Sequence, residues 1–174
     1  MRGEKFDLLI DFNGSRNKWN GQELLGIVEL QQVLRKTGKR FFIKESEFPH
    51  TVMVEVENDP LEIYRFLREI SCDVISRAMY IESTVETCGN QITQHAVNCI
   101  GSKARPGDTF TVKCKVKKRR YINSCHKLMM RIESEIIDGF DLQLDRDQPR
   151  WIVHLEFLGE KTGISVLDTE KLVD

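Results

Sequence analysis

The sequence predicts an α+β fold in two modules, residues 1–83 and residues 84–174. Apolar residues alternate at a period of two in several short runs and recur at helical spacing in others. Turn-forming residues separate the runs at short intervals, so the elements are short and closely connected. The 174 residues suit one ordinary domain or two small ones, and 40% hydrophobic with 30% charged residues is the balance of a soluble globular chain.

In the first module, Phe6, Leu8, Ile10 and Phe12 fall on one side of a strand. Residues 13–21 form a polar loop. Leu24, Ile27, Val28 and Leu34 then recur at helical spacing, with Gly38 as the C-terminal stop. Residues 40–48 read as a second strand, broken by Pro49. Residues 50–57 read as a third, with Val52, Val54 and Val56 on one face. Asp59 and Pro60 are an N-cap and a first helical position, and Ile63, Phe66, Leu67 and Ile70 continue the helix. Residues 74–81 are rich in strand formers. The resulting order, β-α-β-β-α-β, is the ferredoxin-like arrangement.

The second module begins near Thr84. Ile92, Ala96, Val97 and Ile100 make a helix face, and the residues from Arg105 to Asp108 make a turn around Pro106 and Gly107. Phe110, Val112, Cys114 and Val116 then alternate with Thr111, Lys113, Lys115 and Lys117. A helix starting at Asn123 or Ser124 carries Leu128, Met129, Ile132 and Ile136, with Gly139 as its stop. Leu142 and Leu144 lie in a short extended piece. Residues 151–157 and 163–167 read as the last strands.

No apolar run approaches the ~20 residues needed to cross a bilayer. The N-terminus lacks the basic, apolar and small-residue segments of a signal peptide. A cytoplasmic protein is expected. The five cysteines, Cys72, Cys88, Cys99, Cys114 and Cys125, are odd in number and contain no CxxC pair, so reduced thiols are expected.

A net charge of −1 hides a strong asymmetry. Residues 103–131 carry ten basic side chains and one acidic, Asp108, whereas residues 132–174 carry four basic and eleven acidic. The candidate phosphate-binding residues are Lys103, Arg105, Lys113, Lys115, Lys117, Lys118, Arg119, Arg120, Lys127 and Arg131. Lysine offers a phosphate a point charge and arginine a two-pronged fork. Tyr121 and His126 add rings able to stack on an unpaired base. Lysines on a strand face also blunt sheet edges, but a ratio of ten to one is too lopsided for edge protection alone.

The run from Phe110 to Arg120, an aromatic-led apolar/basic strand entering a basic turn, resembles a strand of the THUMP domain. Residues 124–137 resemble its following helix. Residues 140–155, with Asp141, Asp145 and Asp147 before Pro149 and Trp151, resemble its Asp-rich turn and closing strand. The family usually has Asn-Pro-Asp at this turn, whereas here the proline comes later. The likeness covers residues 84–167, and THUMP domains typically follow a ferredoxin-like domain. It implies tRNA as the ligand, bound through the acceptor region. Most members also carry a catalytic domain, for thiolation, methylation, deamination or pseudouridine formation. A chain ending at Asp174 resembles the stand-alone members that serve as adaptors for a separate tRNA cytidine acetyltransferase. The expectation is therefore a non-enzyme with no cofactor, no metal and no membrane attachment. The alternative is a non-catalytic subunit for tRNA thiolation or methylation.

A small thiol- or metal-dependent enzyme is the rival of a different class. Cys88, His95, Cys99, Cys125 and His126 follow no zinc spacing. Cys125 lies near a helix start, but the adjacent His126 points about 100° away and is badly placed as its base. His50 and His154 read as structural or surface residues in strands, and Trp19 and Trp151 as packing residues. Glu133, Glu135, Asp138, Asp141, Asp145 and Asp147 read as a solvated surface, or as one that repels RNA or meets a basic partner.

Overall fold

The computed structural model describes residues 5–14, 22–117 and 125–172. The chain divides into two compact units between Ile81 and Glu82.

The first unit runs β1 (Leu8–Phe12), α1 (Gln22–Arg35), β2 (Phe41–Glu45), β3 (Thr51–Val56), α2 (Pro60–Glu69) and β4 (Ile75–Tyr80). Its strands form one antiparallel sheet in the order β2-β3-β1-β4, the expected ferredoxin-like arrangement. As a central strand, β1 buries Leu9 as well as Leu8, Ile10 and Phe12. Asp59 caps α2 by accepting the Glu62 N–H, with Pro60 at the start of the helix. Gly38 ends the turn after α1 at φ 69°, a conformation that suits glycine.

Helix α1 faces the sheet differently from the sequence reading. Leu34 is buried, but Leu24 is 67% exposed and Val28 is exposed too. Gly26 accounts for the difference. A side chain there would run into the Phe12 ring, so the helix approaches the sheet along Gly26, Leu30 and Leu34, spaced four apart. The second strand is shorter than residues 40–48. His50 lies outside the strands, in a turn at φ 57°.

The second unit runs β5 (Ser83–Glu86), α3 (Gly89–Lys103), β6 (Thr109–Val116), α4 (Cys125–Phe140), β7 (Gln143–Leu144), β8 (Trp151–Phe157), β9 (Lys161–Asp168) and α5 (Thr169–Leu172). The five-stranded sheet has the order β5-β9-β8-β6-β7, with β6 parallel to β7 and β8 and the other pairings antiparallel. The stretch read as a domain boundary is thus an edge strand, β5. It was missed because only four residues alternate there.

Helices α3 and α4 lie side by side and point the same way. Gly89 faces Leu128 at one end, Gly101 faces the Phe140 ring at the other, and Arg131 donates to Asn90 at 2.8 Å. Ile92, Ile100, Ile132 and Ile136 from these helices meet Phe110 and Val153 of the sheet in a common core. Burying each of these side chains is worth about 1.5–3 kcal/mol.

Two further expectations are corrected here. Helix α4 runs through Gly139 to Phe140, and the chain turns at Asp141, at φ 55°. Aspartate tolerates the left-handed region better than most residues, so no glycine is required. Glu133 is buried rather than solvated, gripped by both terminal nitrogens of Arg146 at 3.0 and 3.3 Å. No helix among the described residues is long and apolar enough to cross a membrane.

Candidate nucleic-acid interface

Strand β6 sorts the basic segment by parity. Phe110, Val112, Cys114 and Val116 join or pack against the core shared with α3 and α4. Lys113 and Lys115 therefore project from the opposite face of the sheet, and both are exposed. Their neighbours in register on β8 are His154 and Glu156. These two are buried and bonded to each other at 2.8 Å, with Glu156 at 0% exposure. His154 is thus a structural residue of β8, as read, but a buried one. On its other side, β6 is paired by β7 only at Thr109 and Phe110. Among the described residues, the lysine-bearing half of β6 is an open sheet edge.

The C-terminal end of β6 is also where both long helices begin. Lys117 continues the strand, and its backbone N–H donates to Phe157 O at 3.0 Å. At the same end, His126 and Lys127 are exposed in the first turn of α4. The start of α3 is held there by Thr87, which bonds Glu160 O through its N–H and Thr162 through its hydroxyl. Neither helix has an acidic residue in its first turn, and the α3 N-cap, Cys88, makes no side-chain capping bond. The positive ends of two helix dipoles thus lie at the same end of the sheet as Lys117 and Lys127, an arrangement favourable to anions. Lys161 enters β9 from the hairpin at this end, opposite Glu86 in register. Sequence reasoning missed Lys161 because it lies far outside the basic run.

Lys103 and Arg105 lie elsewhere. They follow α3 at the other end of β6, and eight residues at about 3.3 Å each put roughly 25 Å between the two ends. Lys103 donates to Glu82 at 2.6 Å and to Val166 O at 3.2 Å, so its charge is locally matched. Arg105 belongs to the turn that Asp108 organises. The Asp108 carboxylate accepts the Arg105 N–H at 2.9 Å and the Trp151 indole N–H at 3.0 Å. Those bonds hold its pKa below the usual carboxylate value. Arg131 lies one turn along α4 from Lys127, paired with Glu135 at 3.2 Å and bonded to Asn90. Lys118, Arg119, Arg120 and Tyr121 lie outside the described residues.

The cysteines are not all free thiols. Cys114 of β6 and Cys125 at the start of α4 are joined by a disulfide. Their separation of eleven residues gives no local pattern, and the pair meets because α4 packs back across β6. Cys72, Cys88 and Cys99 are free. Among the described residues no three His, Cys, Asp or Glu side chains are grouped to hold a metal; Cys125 is bonded to Cys114, and His95 shares a 2.6 Å hydrogen bond with Ser83. The disulfide equally removes Cys125 as a free nucleophile.

No sequence model of a known protein family matches this chain, and no curated protein matches it. Solved structures do. PH1313 from Pyrococcus horikoshii matches with a TM-score of 0.71 at 12% identity, covering 94% of this chain and 54% of that one. A 4-thiouridine synthetase, solved in complex with RNA and with bound ATP, matches at 0.61 and 15% identity, covering 94% and 41%. TrmN from Thermus thermophilus matches at 0.56 and 11% identity, covering 93% and 45%. This chain therefore spans about half, or less, of the length of these proteins. At such identities the likeness is one of fold, and it extends over both units.

Proposed function

We propose that this chain binds tRNA and presents it to a separate modifying enzyme, as a THUMP-family protein without chemistry of its own. The observation that supports this reading is that Lys117, His126 and Lys127 lie at the end of the sheet where α3 and α4 begin, with Lys113 and Lys115 exposed on the other face of the same strand. Ammonium groups and helix N-termini together suit a phosphate backbone, and they bind it by charge and shape rather than by base sequence. The fold shared with a 4-thiouridine synthetase solved with RNA supports the choice of an RNA ligand. Lys118, Arg119, Arg120 and Tyr121 follow this strand in sequence and are proposed contacts of the same RNA.

The partner that the family resemblance favours is a tRNA cytidine acetyltransferase, with a thiolation or methylation enzyme as the alternative. Two measurements test the reading. The first is tRNA binding titrated against salt, with an unstructured RNA of equal length as the comparison. Preference for tRNA with a steep salt dependence supports the proposal, and equal binding of both RNAs refutes recognition of tRNA. The second is co-purification with the acetyltransferase. Recovery of a thiolation or methylation enzyme in its place would reassign the partner.

A further inference from the structure

The disulfide between Cys114 and Cys125 ties β6 to the start of α4, on the face of the strand opposite Lys113 and Lys115. Cys114 lies between Lys113 and Lys115 on β6, and Cys125 is followed at once by His126 and Lys127 on α4. The two Cα atoms are 6.9 Å apart. The bond joins the strand to the first residue of the helix. Both cysteines are half-buried against the core, within reach of a small reagent.

We infer that this pair is a redox-sensitive clamp on RNA binding, with the disulfide form binding more tightly than the dithiol form. The inference rests on the proposed tRNA function and adds regulation to it. In the disulfide form, the basic side chains of β6 and those of the first turn of α4 are held at a fixed spacing. In the dithiol form that covalent tie is absent, and non-covalent contacts such as the burial of Leu128 hold the start of α4. The positive charge is identical in both forms, so the difference is one of preorganisation rather than electrostatic attraction. Tighter binding with an unchanged salt slope is the signature.

The oxidant is a low-molecular-weight disulfide, such as oxidised glutathione. The Cys125 thiolate, at the positive end of α4, attacks one sulfur of this reagent and forms a mixed disulfide, releasing one small thiolate. The Cys114 thiolate then attacks the Cys125 sulfur and expels the second. The protein loses two protons and two electrons, and the small disulfide is reduced to two small thiols.

The test uses the whole chain, equilibrated with oxidised or with reduced glutathione, and a tRNA titration at one salt concentration. Mass spectrometry after alkylation reports which form is present. The disulfide form is expected to bind about three- to tenfold more tightly, the range expected for ordering one or two long side chains. Cys125→Ser should bind like the dithiol form under both conditions, and Cys72→Ser, in the first unit, should keep the full response. Circular dichroism checks that each variant is folded, and Cys114→Ser serves as a second variant of the pair. Equal affinity of the two forms, no bond formed under oxidised glutathione, or a response that survives in Cys125→Ser would each overturn the inference. Tight tRNA binding with no redox response leaves the RNA-binding reading standing. No tRNA binding in either form removes both.

Discussion

Arg150 grips Asp168 with two nitrogens, Nε on Oδ1 at 2.8 Å and Nη2 on Oδ2 at 3.1 Å. The pair ties the start of β8 to the end of β9, where Trp151 stands opposite Asp168. Arg150 also reaches Glu170 at 2.9 Å and lies over the Trp151 ring.

This pair makes stability depend on acid. Burial pushes the Asp168 carboxyl upward, but bonds from Arg150 and from the Glu170 N–H outweigh it and leave the pKa below the ordinary value. A carboxylate with a depressed folded-state pKa stabilises the fold above its unfolded pKa, near 4, and loses that contribution as pH falls through the folded value. Asp168→Asn should cost roughly 1–2 kcal/mol at pH 7, the value of a hydrogen bond to a charged group. The cost should shrink as pH falls from about 4 through the lower folded-state value, where the wild type too becomes protonated. Urea unfolding of both proteins from pH 3 to pH 7 measures this, and a cost independent of pH would refute it.

Two helical glycines should respond oppositely to the same change. Alanine normally improves an exposed helix by roughly 1 kcal/mol over glycine. Gly139 has open space where a side chain would sit, so Gly139→Ala should raise the melting temperature. At Gly101 a Cβ would collide with the Phe140 ring. Gly101→Ala should therefore destabilise by about 1–3 kcal/mol despite the better helix propensity. Thermal melts of the two single variants are sufficient, and shifts of the same sign would mean that α3 and α4 do not approach closely at this end.

The two ends of the basic segment should be unequal in RNA binding. Lys103 is matched by Glu82, and Arg105 lies at the far end of β6. Lys115→Ala with Lys127→Ala should weaken tRNA binding by roughly tenfold, about 1.4 kcal/mol. It should also lower the log–log salt slope by about one to two units. Lys103→Ala with Arg105→Ala should change affinity little. A larger loss from the second pair would move the interface to the other end of the sheet.

The free thiols should differ in reactivity. Cys88 is exposed at the start of α3. Cys99 is partly buried, and burial followed by the nearby Glu82 carboxylate pushes its pKa up, which leaves less thiolate. Alkylation at pH 8 followed by peptide mapping should label Cys88 well before Cys99. The reverse order would mean that the face of α3 carrying Cys99 is open.

The sequence by itself determined the order of nearly every element, because strand and helix periods are local properties that each element reports on its own. Asp59 with Pro60 marks the start of α2, and Trp151 to Phe157 is a strand in both readings. The sequence also named the buried faces of α2, α3 and α4, whereas tertiary structure alone decided which face α1 buries. Gly26 turns α1 so that Leu24 and Val28 meet solvent, which no count of apolar positions reveals. It also decided that Cys114 and Cys125 meet, that Glu133 is buried under Arg146, and that Lys103 and Arg105 lie at the opposite end of β6 from Lys117. A run of basic residues is continuous along the chain, but a ligand meets a surface. Whether charges share that surface depends on strand parity, helix direction and layer packing, and these are settled by contacts between residues distant in sequence.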